Sequence, residues 1–302
     1  MTQGTLFDFP QYQINKKIRL IELFGGIGSQ AMALRDLGAD FENYRLVEID
    51  KHAVKVYNAI HNTSFTPADI KDIKGVDLGT EREREKYCYL LTYSFPCTDL
   101  SIAGKMGGMS KADWENGNST RSGLLWEVER ILNEIPNEAL PNVLVMENVP
   151  QVHAEANEID FERWLKYLRS RGYYNFYKDL NSKEYGVPQN RDRCFCVSIL
   201  SDDFIDFEFP DPVKLTSIMK DYLEESVANK YYVNTEKVKN LITDLQKNGT
   251  LETLQNAGGG QTVILKNKGT QFEKKTDIAT CLMARDYKGY GNQFGNGVIE
   301  LC

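Results

Sequence analysis

The sequence predicts an open α/β fold, and three features carry that expectation. Ile18 to Phe24 is an apolar run suited to a buried first strand, Gly25-Gly26-Ile27-Gly28 supplies a turn, and Ser29 to Leu37 reads as a helix stopped by Gly38. Further apolar runs recur at Tyr44 to Ile49, Tyr89 to Phe95, Asn142 to Met146 and Cys194 to Leu200. Helix-like stretches separate them, and strands alternating with helices are the pattern of an α/β sheet.

Residues 1–16 form an arm with no clear period. In the first turn, Gly26-x-Gly28-x-x-Ala31 fits the strand–turn–helix dinucleotide-binding fingerprint. Glu48 lies at the end of the second strand, about 20 residues on, where a carboxylate can take both hydroxyls of a ribose. Asp50 to Ile60 reads as a helix, Pro67 to Ile70 as a short strand end, and Thr80 to Lys86 as a solvated charged face.

Tyr89 to Phe95 is apolar enough for a central strand, and Pro96 ends its ladder because proline has no N–H to donate. Cys97 therefore falls at the carboxyl end of a strand, where open α/β sheets place their ligands. The Gly- and Ser-rich stretch that follows, out to about Gly123, is long for a loop in a compact domain. Cys97 is thus either inert packing or a nucleophile beside a mobile lid. Leu124 to Ile135 has helical apolar spacing, and the strand Asn142 to Met146 runs into Glu147-Asn148-Val149-Pro150. Glu147 reads either as a helix cap or as an acid with a raised pKa. Phe161 to Leu168 is a helix closed by Gly172. Arg191 and Arg193, two apart at the entry to a strand, point to the same side. They are either surface charge or a clamp for phosphate or a polar base edge.

Composition sets the bounds. The chain has 302 residues, 41% hydrophobic and 26% charged, as in ordinary globular proteins. That length suits one large domain, or one domain with a smaller lobe. Its apolar runs are far too short for a membrane span, and no charged-then-apolar leader opens it. Six cysteines with no CxxC pair, and three histidines, argue for reduced cytoplasmic thiols and against structural zinc. The net charge is −7. Residues 211–302 hold 12 basic and 11 acidic side chains, leaving 24 and 32 in 1–210, so the acidic excess lies in the first two-thirds. Global charge therefore does not exclude a local basic cleft.

Four segments together resemble the cytosine-5 DNA methyltransferase family. Leu23-Phe24-Gly25-Gly26-Ile27-Gly28 looks like its first cofactor motif, and Phe95-Pro96-Cys97 looks like its Pro-Cys nucleophile motif. Glu147-Asn148-Val149 resembles its Glu-Asn-Val motif, and Gln189-x-Arg191-x-Arg193 its Gln-x-Arg-x-Arg motif. Any one is weak, but four in the family's order over residues 18–200 are highly specific. The resemblance implies a Rossmann-like S-adenosylmethionine-dependent fold over 17–210, with a smaller target-recognition lobe over 211–302. It implies S-adenosylmethionine as cofactor, no metal, double-stranded DNA as partner, and a phage or restriction–modification enzyme in the cytoplasm. It makes Cys97, Glu147 and Arg191 catalytic. It gives Phe24, Gly26, Gly28, Glu48, Asp69, Ile70, Pro96 and Leu124 to the cofactor, and Gln189, Arg193 and Ser101 to DNA.

The chemistry explains the residue types. Carbon 5 of cytosine is a poor nucleophile until a thiolate adds at carbon 6, and cysteine suits that task because it ionises near neutrality. A protonated Glu147 at the ring nitrogen would neutralise the charge that this attack generates. Arg191 would hold the carbonyl oxygen or the acid, and Arg193 would steady phosphate. The base would have to leave the stack, and loop 98–122 would close over it.

Two departures stand out. Thr98 replaces the family's common glutamine after the nucleophile. The family's Arg-x-Leu-Thr motif is not found, and Gln293 to Val298 only faintly echoes its last motif. The sequence thus leaves open either a degenerate final motif at Gln293 to Val298 or, as the favoured expectation, an incomplete recognition region. In the latter case a second polypeptide supplies the closing segment, or this is a truncated form that binds cofactor poorly. Two other readings compete: a non-catalytic DNA-binding half of a split enzyme, and a nicotinamide-dependent oxidoreductase carried only by the glycine fingerprint.

Overall fold

In the computed structural model, the residues described are 12–100, 107–118, 120–222, 240, 243, 247, 262–268, 271–273, 279–280 and 296–300. Ser101, most of the arm, Cys281, Cys302 and the loop tip 101–106 lie outside them. The chain divides into two compact units, Met1–Leu180 with Arg193–Phe209, and Asn181–Asp192 with Pro210–Cys302.

The first unit is built on a six-stranded sheet. In chain order its elements are β1 (Lys17–Leu23), α1 (Ser29–Asp36), β2 (Phe41–Val47), α2 (Lys51–His61), β3 (Tyr87–Tyr93), the short α3 (Lys111–Glu115) and α4 (Leu125–Asn133). Then come β4 (Val143–Asn148), α5 (Glu158–Ser170), β5 (Tyr173–Asn181) and β7 (Asp192–Leu200), while β6 (Gln189–Asn190), between β5 and β7 in the chain, belongs to the second unit and lies outside this sheet. The strand order is β2-β1-β3-β4-β7-β5. β1 pairs in parallel with β2 and β3, and β3 with β4, while β7 runs antiparallel to β4.

Successive side chains of a strand face opposite sides, and both sides here are covered. Ile21, Leu23, Tyr89, Leu91, Tyr93, Leu144 and Met146 join α4 and α5 in one core with Trp126, Ile131, Phe161, Trp164 and Leu168. Ile18, Leu20, Leu90 and Val143 face the other way, where Ala31 and Leu34 of α1 meet them. Strands buried on both faces account for the near-continuous apolar runs in the sequence. Burying a large apolar side chain is worth about 1.5–3 kcal/mol. Trp164 adds an indole N–H donated to Tyr93 Oη at 3.0 Å inside that core.

Some boundaries differ from the sequence reading for local reasons. Pro67 to Ile70 forms no strand. Asp69 instead caps a 3-10 turn, Ile70–Asp72, by accepting Lys71 N at 3.0 Å, a bond that competes with extended pairing. β4 runs on through Glu147 and Asn148, two residues past Met146. The following 3-10 turn, Pro150–His153, is capped by Val149, so Glu147 is not a helix cap. Arg193 lies inside β7.

In the second unit, segment 181–192 is tied to itself. Asn181 Nδ2 donates to Asn190 Oδ1 and Asp192 Oδ1, both at 2.7 Å, and Ser182 Oγ donates to the Gln189 carbonyl at 2.6 Å. β6 pairs in parallel with β10 (Ala279–Thr280). β8 (Thr262–Lys268) lies between β9 (Gln271–Glu273) and β11 (Asn296–Glu300) in an antiparallel sheet. Among the described residues no helix is long and apolar enough to cross a membrane.

Candidate active site

The ends of β1 and β2 are joined through their backbone. Phe24 N donates to the Val47 carbonyl at 2.7 Å, and Gly28 N to the Gly25 carbonyl at 2.9 Å. Phe24 takes a left-handed conformation at φ 57°, uncommon outside glycine, which turns the chain at the sheet's edge. Gly28, at φ 83°, caps α1 with no side chain, and a Cβ there would meet the Tyr57 ring at 2.6 Å. Gly25 is needed for a different reason. A Cβ on it would lie 2.5 Å from Leu46 Cδ1 and 2.9 Å from Glu22 Cβ.

Glu48 follows β2 directly. Its Oε2 accepts Gly26 N at 3.0 Å and its Oε1 accepts Asp50 N at 2.8 Å. Two amides thus fix the carboxylate, and each oxygen keeps a lone pair for a further donor. Around it opens a cleft of about 420 Å³ lined by Phe24, Glu48, Asp69, Ile70, Pro96 and Leu124, all six expected to meet the cofactor. Gly26 reaches this wall through its bond to Glu48. Lys71, Ser94, Trp114 and Arg121 also line the cleft. No short motif marks these four; an aromatic on a five-residue helix inside a polar loop was the available signal. The volume is that of a small-molecule site. An apolar, partly aromatic floor beside a fixed carboxylate fits a nucleoside, and the donor set fits S-adenosylmethionine.

Pro96 is a wall of this cleft, so the half-buried Cys97 sits at its border. Three contacts hold that border. Ser122 Oγ donates to the Pro96 carbonyl at 2.6 Å, Leu100 N to the Cys97 carbonyl at 3.0 Å, and buried Asn148 Nδ2 to the Phe95 carbonyl at 3.0 Å. The last bond joins the ends of adjacent parallel strands, since Tyr93 pairs with Met146. Cys97 and Glu147 are thereby delivered to the same edge of the sheet. Burial pushes the thiols of Cys88 and Cys194 up and that of Cys196 up to about 12, which disfavours the free thiolate at all three.

Glu147 Oε1 is held by Arg193 Nε at 2.9 Å, both side chains being largely shielded. The acid is therefore held by Arg193, the arginine the sequence reading gave to phosphate. Arg191 and Gln189 belong to segment 181–192 of the other unit, so the Gln-x-Arg-x-Arg run crosses a unit boundary.

The two stems of loop 98–122 are pinned together. Asp99 accepts Arg121 N at 2.7 Å and Arg121 Nη2 at 3.3 Å, Gly108 N donates to the Asp99 carbonyl at 3.0 Å, and Thr120 Oγ1 donates to the Gly108 carbonyl at 2.8 Å. Burial would raise the Asp99 carboxyl, but the Arg121 donors outweigh it and hold it below its usual range.

Comparisons with known proteins show the family and the fold. A family described as C-5 cytosine-specific DNA methylase matches residues 18–286. The chain is 32% identical over 267 residues to the Type II methyltransferase M2.ScrFI of Lactococcus lactis subsp. cremoris, covering 73% of this chain and 71% of that protein. It is 31% identical to the orphan methyltransferase M.SssI of Spiroplasma monobiae, covering 95% and 90%. Among solved structures, the Dnmt2 methyltransferase of S. pombe superposes with a TM-score of 0.61 at 19% identity, covering 93% of this chain and 75% of that one, which shows the shared fold. The chain belongs to the C-5 cytosine-specific DNA methylase family, enzymes that use S-adenosylmethionine to methylate cytosine in DNA.

Proposed function

We propose that this chain methylates carbon 5 of a cytosine flipped out of double-stranded DNA, through a transient covalent bond to Cys97. The observation that carries this reading is the placement of Cys97 beside Pro96 in the cleft wall, with Asn148 tying its strand to the strand of Glu147. Cys97 Sγ adds to carbon 6 as a thiolate, which makes carbon 5 enamine-like. Glu147, held by Arg193, offers a proton at the ring nitrogen and offsets the charge that this addition creates. When bound, S-adenosylmethionine supplies the methyl group to carbon 5. A base then takes the carbon-5 proton, the carbon–sulfur bond breaks to return Cys97 as the thiolate, and the ring nitrogen gives its proton back to Glu147.

Arg191 contacts the cytosine carbonyl oxygen from segment 181–192, while Gln189 and Ser101 contact DNA. Arg193 acts first on Glu147 and reaches phosphate only if that pair opens. Loop 98–122 closes over the flipped base and excludes water. Residues 211–302 serve as the target-recognition lobe of an enzyme of phage or restriction–modification type, working in the cytoplasm.

DNA carrying 5-fluorocytosine tests the proposal, because the fluorine cannot leave as a proton would. With S-adenosylmethionine it should yield a denaturation-resistant adduct that Cys97→Ser abolishes. An adduct that survives this change, with Cys194 or Cys281 labelled, would sink the assignment. An adduct that forms only after a second polypeptide is added would favour the split enzyme.

A further inference from the structure

His153, Asp179 and Cys194 come from three separate elements and meet at one point. His153 ends the 3-10 turn Pro150–His153, Asp179 lies on β5, and Cys194 lies on the neighbouring β7. Their ligand atoms all lie within 4.8 Å of one another. His153 Nε2 already stands 3.0 and 3.1 Å from the two Asp179 oxygens. The imidazole is boxed by rings, with Tyr177 at 5.6 Å and Phe161 at 6.0 Å between centroids. The histidine count of the sequence argues against a zinc site, yet the fold gathers three donors that no sequence spacing links.

We propose that this cluster is a binding site for one zinc-class divalent cation. An imidazole, a carboxylate and a thiolate suit a borderline-soft ion and do not suit magnesium or calcium, which take oxygen. In a tetrahedral site with bonds of 2.0–2.3 Å, ligand atoms stand about 3.3–3.8 Å apart. The His153–Asp179 spacing is already that short, and the third donor needs to close by no more than about 1.5 Å. Cys194 is fully buried, whereas the side chains of Asp179 and His153 are 40% and 29% exposed. The ion would therefore rest on the buried sulfur with its fourth position open to water. On binding, the sulfur–hydrogen bond breaks, the proton leaves to solvent, and the sulfur–metal bond takes its place.

The site's role is to hold rather than to react. Asn148 pairs with Cys194 across β4 and β7, and Arg193 next to Cys194 grips Glu147. A cation here would clamp the turn that follows Glu147-Asn148-Val149 to the strand that carries Arg193.

Cobalt titration of the full chain tests this, since a thiolate ligand gives an intense charge-transfer band. One equivalent should produce the band, and zinc should displace it. Removing groups that merely support a metal ligand costs about 10–100-fold in affinity. Cys194→Ser and Asp179→Asn remove ligands and should each weaken binding at least that much. Asp179→Asn decides the matter if Cys194→Ser does not fold, its integrity being read from S-adenosylmethionine binding in a cleft that shares no residue with the cluster. A band that persists in both variants, whichever cysteine supplies it, or no band at stoichiometric cobalt, overturns the proposal.

Discussion

Glu147 is useful because one of its oxygens is spoken for. With Arg193 Nε on Oε1, its position is set before any base arrives. A group that stabilises charge in a transition state is worth roughly 10²–10³ in rate. Glu147→Gln should therefore lower kcat about 10²–10³-fold and leave S-adenosylmethionine affinity within about twofold, as calorimetry and single-turnover assays would report. Loss of cofactor binding or of folded protein would instead assign Glu147 a structural role. A second carboxyl behaves differently. Glu22 is fully buried behind the glycine turn, and burial pushes it from 4.5 up to about 7, against the opposing hydrogen bond from Tyr57 Oη at 2.5 Å. Its unfolded form ionises first as pH rises, so folding loses stability between pH 4.5 and about 7 and then levels off. A shift of this size corresponds to about 3 kcal/mol at most. Urea unfolding of the wild type and of Glu22→Gln across that window should show the difference, and parallel pH curves would refute it.

At the scale of elements, the turn after β1 and loop 98–122 frame the cleft by opposite means. The turn is fixed by lack of room. Gly25→Ala should cost about 1–3 kcal/mol of stability, because its Cβ would meet Leu46 and Glu22. A denaturation midpoint equal to wild type would show that the neighbours give way. The stems of the loop are held by polar pins such as Asp99–Arg121. This contrast also explains what the sequence makes legible. Phe24, Glu48 and Pro96 each lie one to three residues beyond a strand whose apolar run is plain, so sheet topology alone brings them to the cleft. Trp114 and Arg121 reach it from a loop whose path depends on contacts over 22 residues, such as Asp99 to Arg121, which no local period records. Arg193 escaped for a similar reason. Its partner is decided by the antiparallel register of β7 on β4, whereas a two-residue spacing alone reports only a shared face. The acid at the end of Pro67 to Ile70 shows the reverse error, because a capping aspartate looks like a strand end when read without its amide.

At the scale of the whole molecule, cofactor binding and stability are linked. A ligand at about 100 times its Kd stabilises the folded state by about 2.7 kcal/mol. For the unit that carries the cleft, this corresponds to a rise in Tm of about 5–10 °C. S-adenosylmethionine should produce that rise in the wild type, and Glu48→Ala should lose most of it. An unchanged rise in that variant would place the cofactor elsewhere. The cleft wall also carries a built-in optical reporter. The chain has three tryptophans, and Trp126 and Trp164 are shut inside the core, at 3% and 0% exposure. Trp114 alone of the three lines the cleft, with Lys71 Nζ 5.8 Å from its ring. Emission that responds to an added ligand, and to quenchers dissolved in the solvent, therefore comes from this one indole. The unlabelled protein can thus report in real time when the loop that bears α3 meets its cofactor.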